Sequence, residues 1–102
     1  MIIYNVTIQI EENAELAWLQ WMQDSHIPDM MATGCFTRVA MLRLLLQEGE
    51  TAEGTYAIQY FSNSMEDYER YLRGHASEMR NRTLAAWGNR FVAFRTVLEE
   101  LV

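Results

Sequence analysis

Few side chains in this sequence could do chemistry, and His26 is the first of them. Its proton exchanges near neutral pH, so it could act as an acid, a base or a donor to a polar ligand. It sits in the stretch Trp18-Leu-Gln-Trp-Met-Gln-Asp-Ser-His-Ile-Pro28. At the helical step, Trp18, Leu19, Trp21, Met22 and His26 share one arc, with Gln20, Gln23 and Asp24 opposite. Pro28 should push Ile27 out of the α region and end the helix close to His26. A titratable ring on the buried stripe of a terminating helix could serve a pocket. The bland alternative is a histidine that bonds a neighbouring carbonyl and ties the turn. Trp18 and Met22 belong to the core, whereas Trp21, at the edge of the arc, could wall a ligand.

A second constellation is Asn5, Gln59, Arg43 and Arg95, polar groups inside otherwise apolar strands. Such groups are costly to bury unless bonded, so they either line a solvated pocket or bond across an interface. Arg43 and Arg95 join this set provisionally, because their strands are apolar on both faces. His26 with Asp24 or Asp29 lacks a helical ligand pair, so no metal site is expected. The lone Cys35 excludes an internal disulfide and reads as a small core thiol.

These residues are carried by 102 amino acids, the size of one domain, which we place at 1–102. Net charge is −6, and all eight cations are arginines. No basic stripe is available to neutralise phosphates, so a nucleic-acid partner is not expected. No apolar run approaches the ~20 residues that span a bilayer, so no membrane partner is expected either. The N-terminal residues enter a strand pattern at once, without a signal-peptide profile, and a cytoplasmic location is the default.

The elements that must position the candidates follow from periodicity. Ile2 to Ile10 alternates as a strand, with Tyr4, Val6, Ile8 and Ile10 opposite Ile3, Asn5, Thr7 and Gln9. Asn13 can cap the helix from Ala14 to His26. Cys35 to Gln47 and Thr55 to Phe61 read as a hairpin around an acidic loop, 47–54. Ser64 caps a second helix bent at Gly74, with a stripe of Tyr68, Leu72, Met79, Thr83 and Trp87. Glu66–Arg70, Glu69–Arg73 and Glu78–Arg82 are i,i+4 pairs on its solvated face. Phe91 to Leu98 is a last strand. The order β-α-β-β-α-β is the α+β ferredoxin-like pattern, which puts both helices on one sheet face and leaves the other bare.

Trp18-x-x-Trp21, His26-Ile-Pro28, Thr33-Gly34-x-Phe36, Tyr56-Ala-Ile-Gln-Tyr60, His75-Ala76 and Phe91-Val-Ala-Phe-Arg-Thr96 together resemble a group of short bacterial proteins of unknown function. That group is similar to the dimeric α/β-barrel superfamily, with its EthD-like and antibiotic-biosynthesis-monooxygenase-like members. The resemblance implies ferredoxin-like subunits paired sheet to sheet, and a ligand held between sheet and helices. A haem-degrading pattern would use Asn5 and His75, but Tyr68 and Tyr71 stand where that pattern has tryptophan. No cofactor is expected. The sequence therefore points to a homodimeric small-molecule-binding protein, with room for cofactor-independent catalysis at His26. Its alternative is an accessory module whose polar sheet residues only specify the interface.

Overall fold

A computed structural model describes residues 1–46 and 51–102. Its four strands are β1 (Ile2–Ile10), β2 (Arg38–Leu45), β3 (Thr51–Ser62) and β4 (Phe91–Glu99). The sheet order is β2-β3-β1-β4, with every neighbouring pair antiparallel. Between β1 and β2 lies a first helical layer, α1 (Glu15–Trp21) and α2 (Ile27–Ala32), entered through a 3-10 turn at Glu12–Ala14. A second layer, α3 (Met65–Gly74) and α4 (Ala76–Trp87), joins β3 to β4. This is the α+β ferredoxin-like subunit that the order of elements predicts.

Register explains which side chains meet the helices. Tyr4 pairs with Tyr60, Val6 with Ile58 and Ile8 with Tyr56, so the even positions of β1 and β3 form one buried face. On them lie Trp18, wholly buried, and Met22, Met30, Tyr71 and Met79. Tyr71 takes the place expected of Leu72, which is exposed. Cys35 is buried beside Phe36 at the entry to the hairpin, as a core thiol should be. One position within β3 requires glycine: Gly54, at φ +69, where a Cβ would lie 2.4 Å from the Ile10 carbonyl oxygen.

Three local expectations are corrected. The first helix does not end at His26: Met22–His26 forms a π turn, and Ile27 stays helical at φ −63, ψ −45. There the Ile27 N–H donates to the Met22 carbonyl, five residues back. That wider turn relieves the clash between a proline ring and the carbonyl four residues before it, so Pro28 is accommodated without a break. Asn13 caps nothing, because no side-chain cap bond is made at the start of α1 and the 3-10 turn supplies the entry instead. The expected acidic loop shrinks from its far end, as Thr51–Gly54 belongs to β3; residues 47–50 lie outside the described residues. Ser64 does cap α3, accepting from the Asp67 N–H at 3.2 Å. The second helix breaks at His75, next to Gly74. Among the described residues, no helix is long and apolar enough to cross a membrane.

Candidate functional site

The helix-side face of the sheet does not close completely. A cavity remains between the sheet and the helices, lined from β1 by Tyr4, Val6 and Ile8, from β3 by Ile58 and Tyr60, and from β4 by Phe91, Ala93 and Arg95. Met22, His26 and Met30 close it from the first helical layer; Tyr71, Met79, Arg80 and Thr83 close it from the second. Its volume is about 30 Å³, the scale of roughly two water molecules.

His26 reaches this cavity because the π turn keeps it in line with Met22 on the buried side of the layer. Its ring stacks on Trp21, centroids 4.9 Å apart and 20° from parallel. Trp21 in turn meets the edge of Trp87 at 5.8 Å. Among the described residues nothing hydrogen-bonds the His26 ring, so the carbonyl tie weighed for it is not what this geometry contains. Burial lowers the His26 pKa to about 4; Asp29 pulls it up, and Arg82 and Arg95 push it down. At neutral pH the ring is uncharged and has one nitrogen free to accept a proton.

The polar groups opposite His26 are donors. Tyr60 is 1% exposed, and its hydroxyl has no partner. Burial raises its pKa far above the ordinary tyrosine value, so the O–H keeps its proton. The Arg80 Nε is likewise buried without a partner, while its Nη2 reaches only the Tyr4 hydroxyl, at 3.5 Å. Tyr71 donates to the Met30 sulfur and Thr83 to the Met79 carbonyl, at 3.4 and 3.0 Å. Arg95 stands at the exposed mouth, opposite Val6 in register. Among the described residues no carboxylate lines the cavity.

The residues singled out in the sequence therefore separate into three places. His26 and Arg95 come together in the cavity. Trp21 lies behind His26, fixing its ring, and is not one of the walls. Arg43 is on the helix side too, but at another point: it pairs with Tyr56 in register and donates to its hydroxyl at 3.3 Å. Tyr56 donates to Glu15 and packs on Trp18, so Arg43 belongs to a polar clamp over α1. Asn5 and Gln59 face each other on the opposite, helix-free side of the sheet. There the Asn5 amide donates to Thr7 and Thr96, at 3.1 and 3.2 Å. His75 sits at the helix break, stacked on Tyr71, with the sheet between it and the Asn5 side chain. The two do not meet, which removes the geometric basis of a haem-degrading pattern. Among the described residues no three His, Cys, Asp or Glu side chains converge on a metal position.

Sequence reasoning missed Arg80 and Tyr60. Arg80 carried a usable signal: Ala76, Ser77, Thr83 and Leu84 occupy its i±3 and i±4 positions, with no acid among them. Arg73 and Arg82 have such partners and pair with Glu69 and Glu78; Arg70 takes Asp67 rather than Glu66. Tyr60 carried none, since an alternating aromatic in a central strand reads as core.

With this geometry established, comparison of the chain with known families gives one match: a domain of unknown function, DUF4286, over residues 1–101. The chain belongs to the DUF4286 family. Comparison with curated proteins gives no match for this DUF4286 domain. Solved structures similar to it include an ethyl tert-butyl ether degradation (EthD) family protein from Bacillus halodurans, at 13% identity and TM-score 0.69, covering 99% of this chain and 100% of the other. A candidate antibiotic biosynthesis monooxygenase from Nitrosomonas europaea aligns over all of both chains, at 12% identity and TM-score 0.66. A dimeric ferredoxin-like protein from an uncultured marine organism is similar at 11% identity and TM-score 0.67, covering 100% and 99%. At such identities the likeness establishes the fold.

Proposed function

We propose that this DUF4286 protein binds a small molecule in the cavity between sheet and helices, with His26 as a neutral hydrogen-bonding group. One observation carries this reading: the Tyr60 hydroxyl and the Arg80 Nε are buried donors without partners in the cavity that the neutral His26 lines. An orphan buried donor costs on the order of 1–3 kcal/mol, and two at one site are poor structure but good preparation for a ligand. His26 can hydrogen-bond that ligand as a neutral ring, one nitrogen donating and the other accepting, because burial disfavours its charged form. Arg95, at the mouth, favours a ligand of negative or carbonyl character.

The same reading assigns the other sheet face to assembly. Val92 and Phe94 are 68% and 61% exposed there, with Leu98 on the same strand and Leu42 on the far edge strand. Large apolar side chains exposed along both edges of a helix-free sheet face mark an interaction surface, and a second copy of the chain fits it by two-fold symmetry. In that homodimer Asn5 and Gln59 specify the interface and do not touch the ligand. Their place on the helix-free face, away from the cavity, supports this over the solvated-pocket alternative. A buried free thiol suits a reducing compartment, and a cytoplasmic location is part of the proposal.

Two measurements test the reading. Native mass spectrometry of untreated protein reports any small molecule that co-purifies and the mass of the assembly. A screen of chemically diverse fragments, followed by the His26 and Trp21 ring NMR signals, reports occupancy of the cavity. If no fragment moves those signals and nothing co-purifies, the pocket is a packing defect and the function lies elsewhere.

A further inference from the structure

The donor geometry narrows the ligand class further, on the premise that the cavity is a binding site. Among the described residues, two buried donors of its lining have no partner, the Tyr60 O–H and the Arg80 Nε–H, and the neutral His26 ring adds one N–H of its own beside one accepting nitrogen. Of the other hydroxyls, Tyr71 donates to Met30 and Thr83 to Met79, while Tyr4 only accepts the long bond from Arg80. Arg80 matters most, because Nε and Nη2 form the edge of the guanidinium that donates to both oxygens of a carboxylate side by side. That edge is empty at Nε and carries only a long contact to Tyr4 at Nη2. Its charge has no i±3 or i±4 acid to answer it, and among the described residues no carboxylate side chain lines the cavity. A free volume of about 30 Å³ accommodates a two-oxygen head group but not a ring system. Beyond it the walls are Met22, Met30 and Met79. Unbranched, polarizable thioethers of this kind shift to admit a slender apolar chain.

We infer that the cavity takes a small aliphatic monocarboxylate, its head group held by the Arg80 edge and the Tyr60 hydroxyl and its tail among the three methionines. The carboxylate enters already ionised, so no proton transfer is needed for binding. Tyr60 and Arg80 set specificity by the cost of leaving them unpaired with a neutral ligand.

The test pairs hexanoate with hexanamide, which matches it in shape and lacks the charge. Affinities are measured by titration calorimetry and by the fluorescence of Trp21 on His26. The wild-type protein should bind hexanoate at least ~10-fold more tightly than hexanamide, the factor expected when buried donors lose a charged acceptor. Arg80→Gln should erase the preference. Arg80→Lys, which keeps the charge but lacks the Nε edge, should recover less than half of it in log affinity, and Tyr60→Phe should weaken hexanoate while leaving the fold unchanged by circular dichroism. Should Arg80→Gln not fold, Tyr60→Phe and Arg80→Lys still decide the matter. Equal binding of acid and amide would overturn the carboxylate assignment, as would a preference unchanged in the arginine variants. If neutral fragments move the His26 and Trp21 signals but hexanoate does not, the pocket stands and the ligand class falls.

Discussion

Replacing His26 by Gln should flatten the acid side of the stability curve of this protein. In the folded chain the ring is neutral because burial lowers its pKa from 6.5 to about 4. In the unfolded chain the same group takes up a proton as the pH drops through its ordinary value. Between the two pKa values the unfolded state therefore binds more protons, and stability falls with falling pH. The contribution is complete above about pH 6.5, declines through the window and levels off below about pH 4. Each pKa unit is worth about 1.4 kcal/mol, so the full swing is about 3.5 kcal/mol; solvent reaching the partly exposed ring makes ~2 kcal/mol the fair expectation at about pH 4.5. Glutamine keeps a hydrogen-bonding side chain of similar reach but does not titrate. Urea denaturation of both proteins at several pH values reads the difference, in which the background titration of the shared carboxylates cancels. Curves that run parallel from about pH 7 to about pH 4.5 would show that His26 is not buried as a neutral base.

Further expectations follow from single contacts. Trp18→Ala should cost ~3–5 kcal/mol in chemical denaturation, because the ring is fully buried against Tyr56. Gln20→Ala, which loses only an exposed bond to Asp24, should stay within ~0.5 kcal/mol. Tyr60→Phe should raise the stability of the ligand-free protein by ~1 kcal/mol, since it removes an unpaired buried hydroxyl; a loss instead would show that the hydroxyl is bonded. Gly54→Ala should destabilise by more than ~1 kcal/mol through positive φ and contact with the Ile10 carbonyl. Light scattering after gel filtration should give twice the chain mass, and Phe94→Glu on the open face should shift it toward the monomer. A wild-type chain that remains monomeric on concentration would refute the sheet-to-sheet assembly.

The sequence by itself determined what depends on local periodicity. The alternation of Ile2–Ile10 fixed β1 and its faces, and the helical arc of Trp18 and Met22 fixed what α1 and the π turn bury. Ser64 announced the start of α3, and Gly74 the break beside it. The β-α-β-β-α-β order was enough for the ferredoxin-like topology. Pro28 shows where a local rule gave way: proline disfavours helix at the preceding residue, but one π turn removes the clash and the chain runs on to Ala32. Tertiary structure alone decided the faces of Arg43 and Arg95. Both flanking strands are apolar on either side, so only pairing with Tyr56 and Val6 could place them on the helix side. It also decided the site. Tyr60, Arg80 and His26 come from three separate elements, and what singles out the first two is a missing partner. An absent hydrogen bond is a property of packed neighbours in space, and no spacing along the chain encodes it.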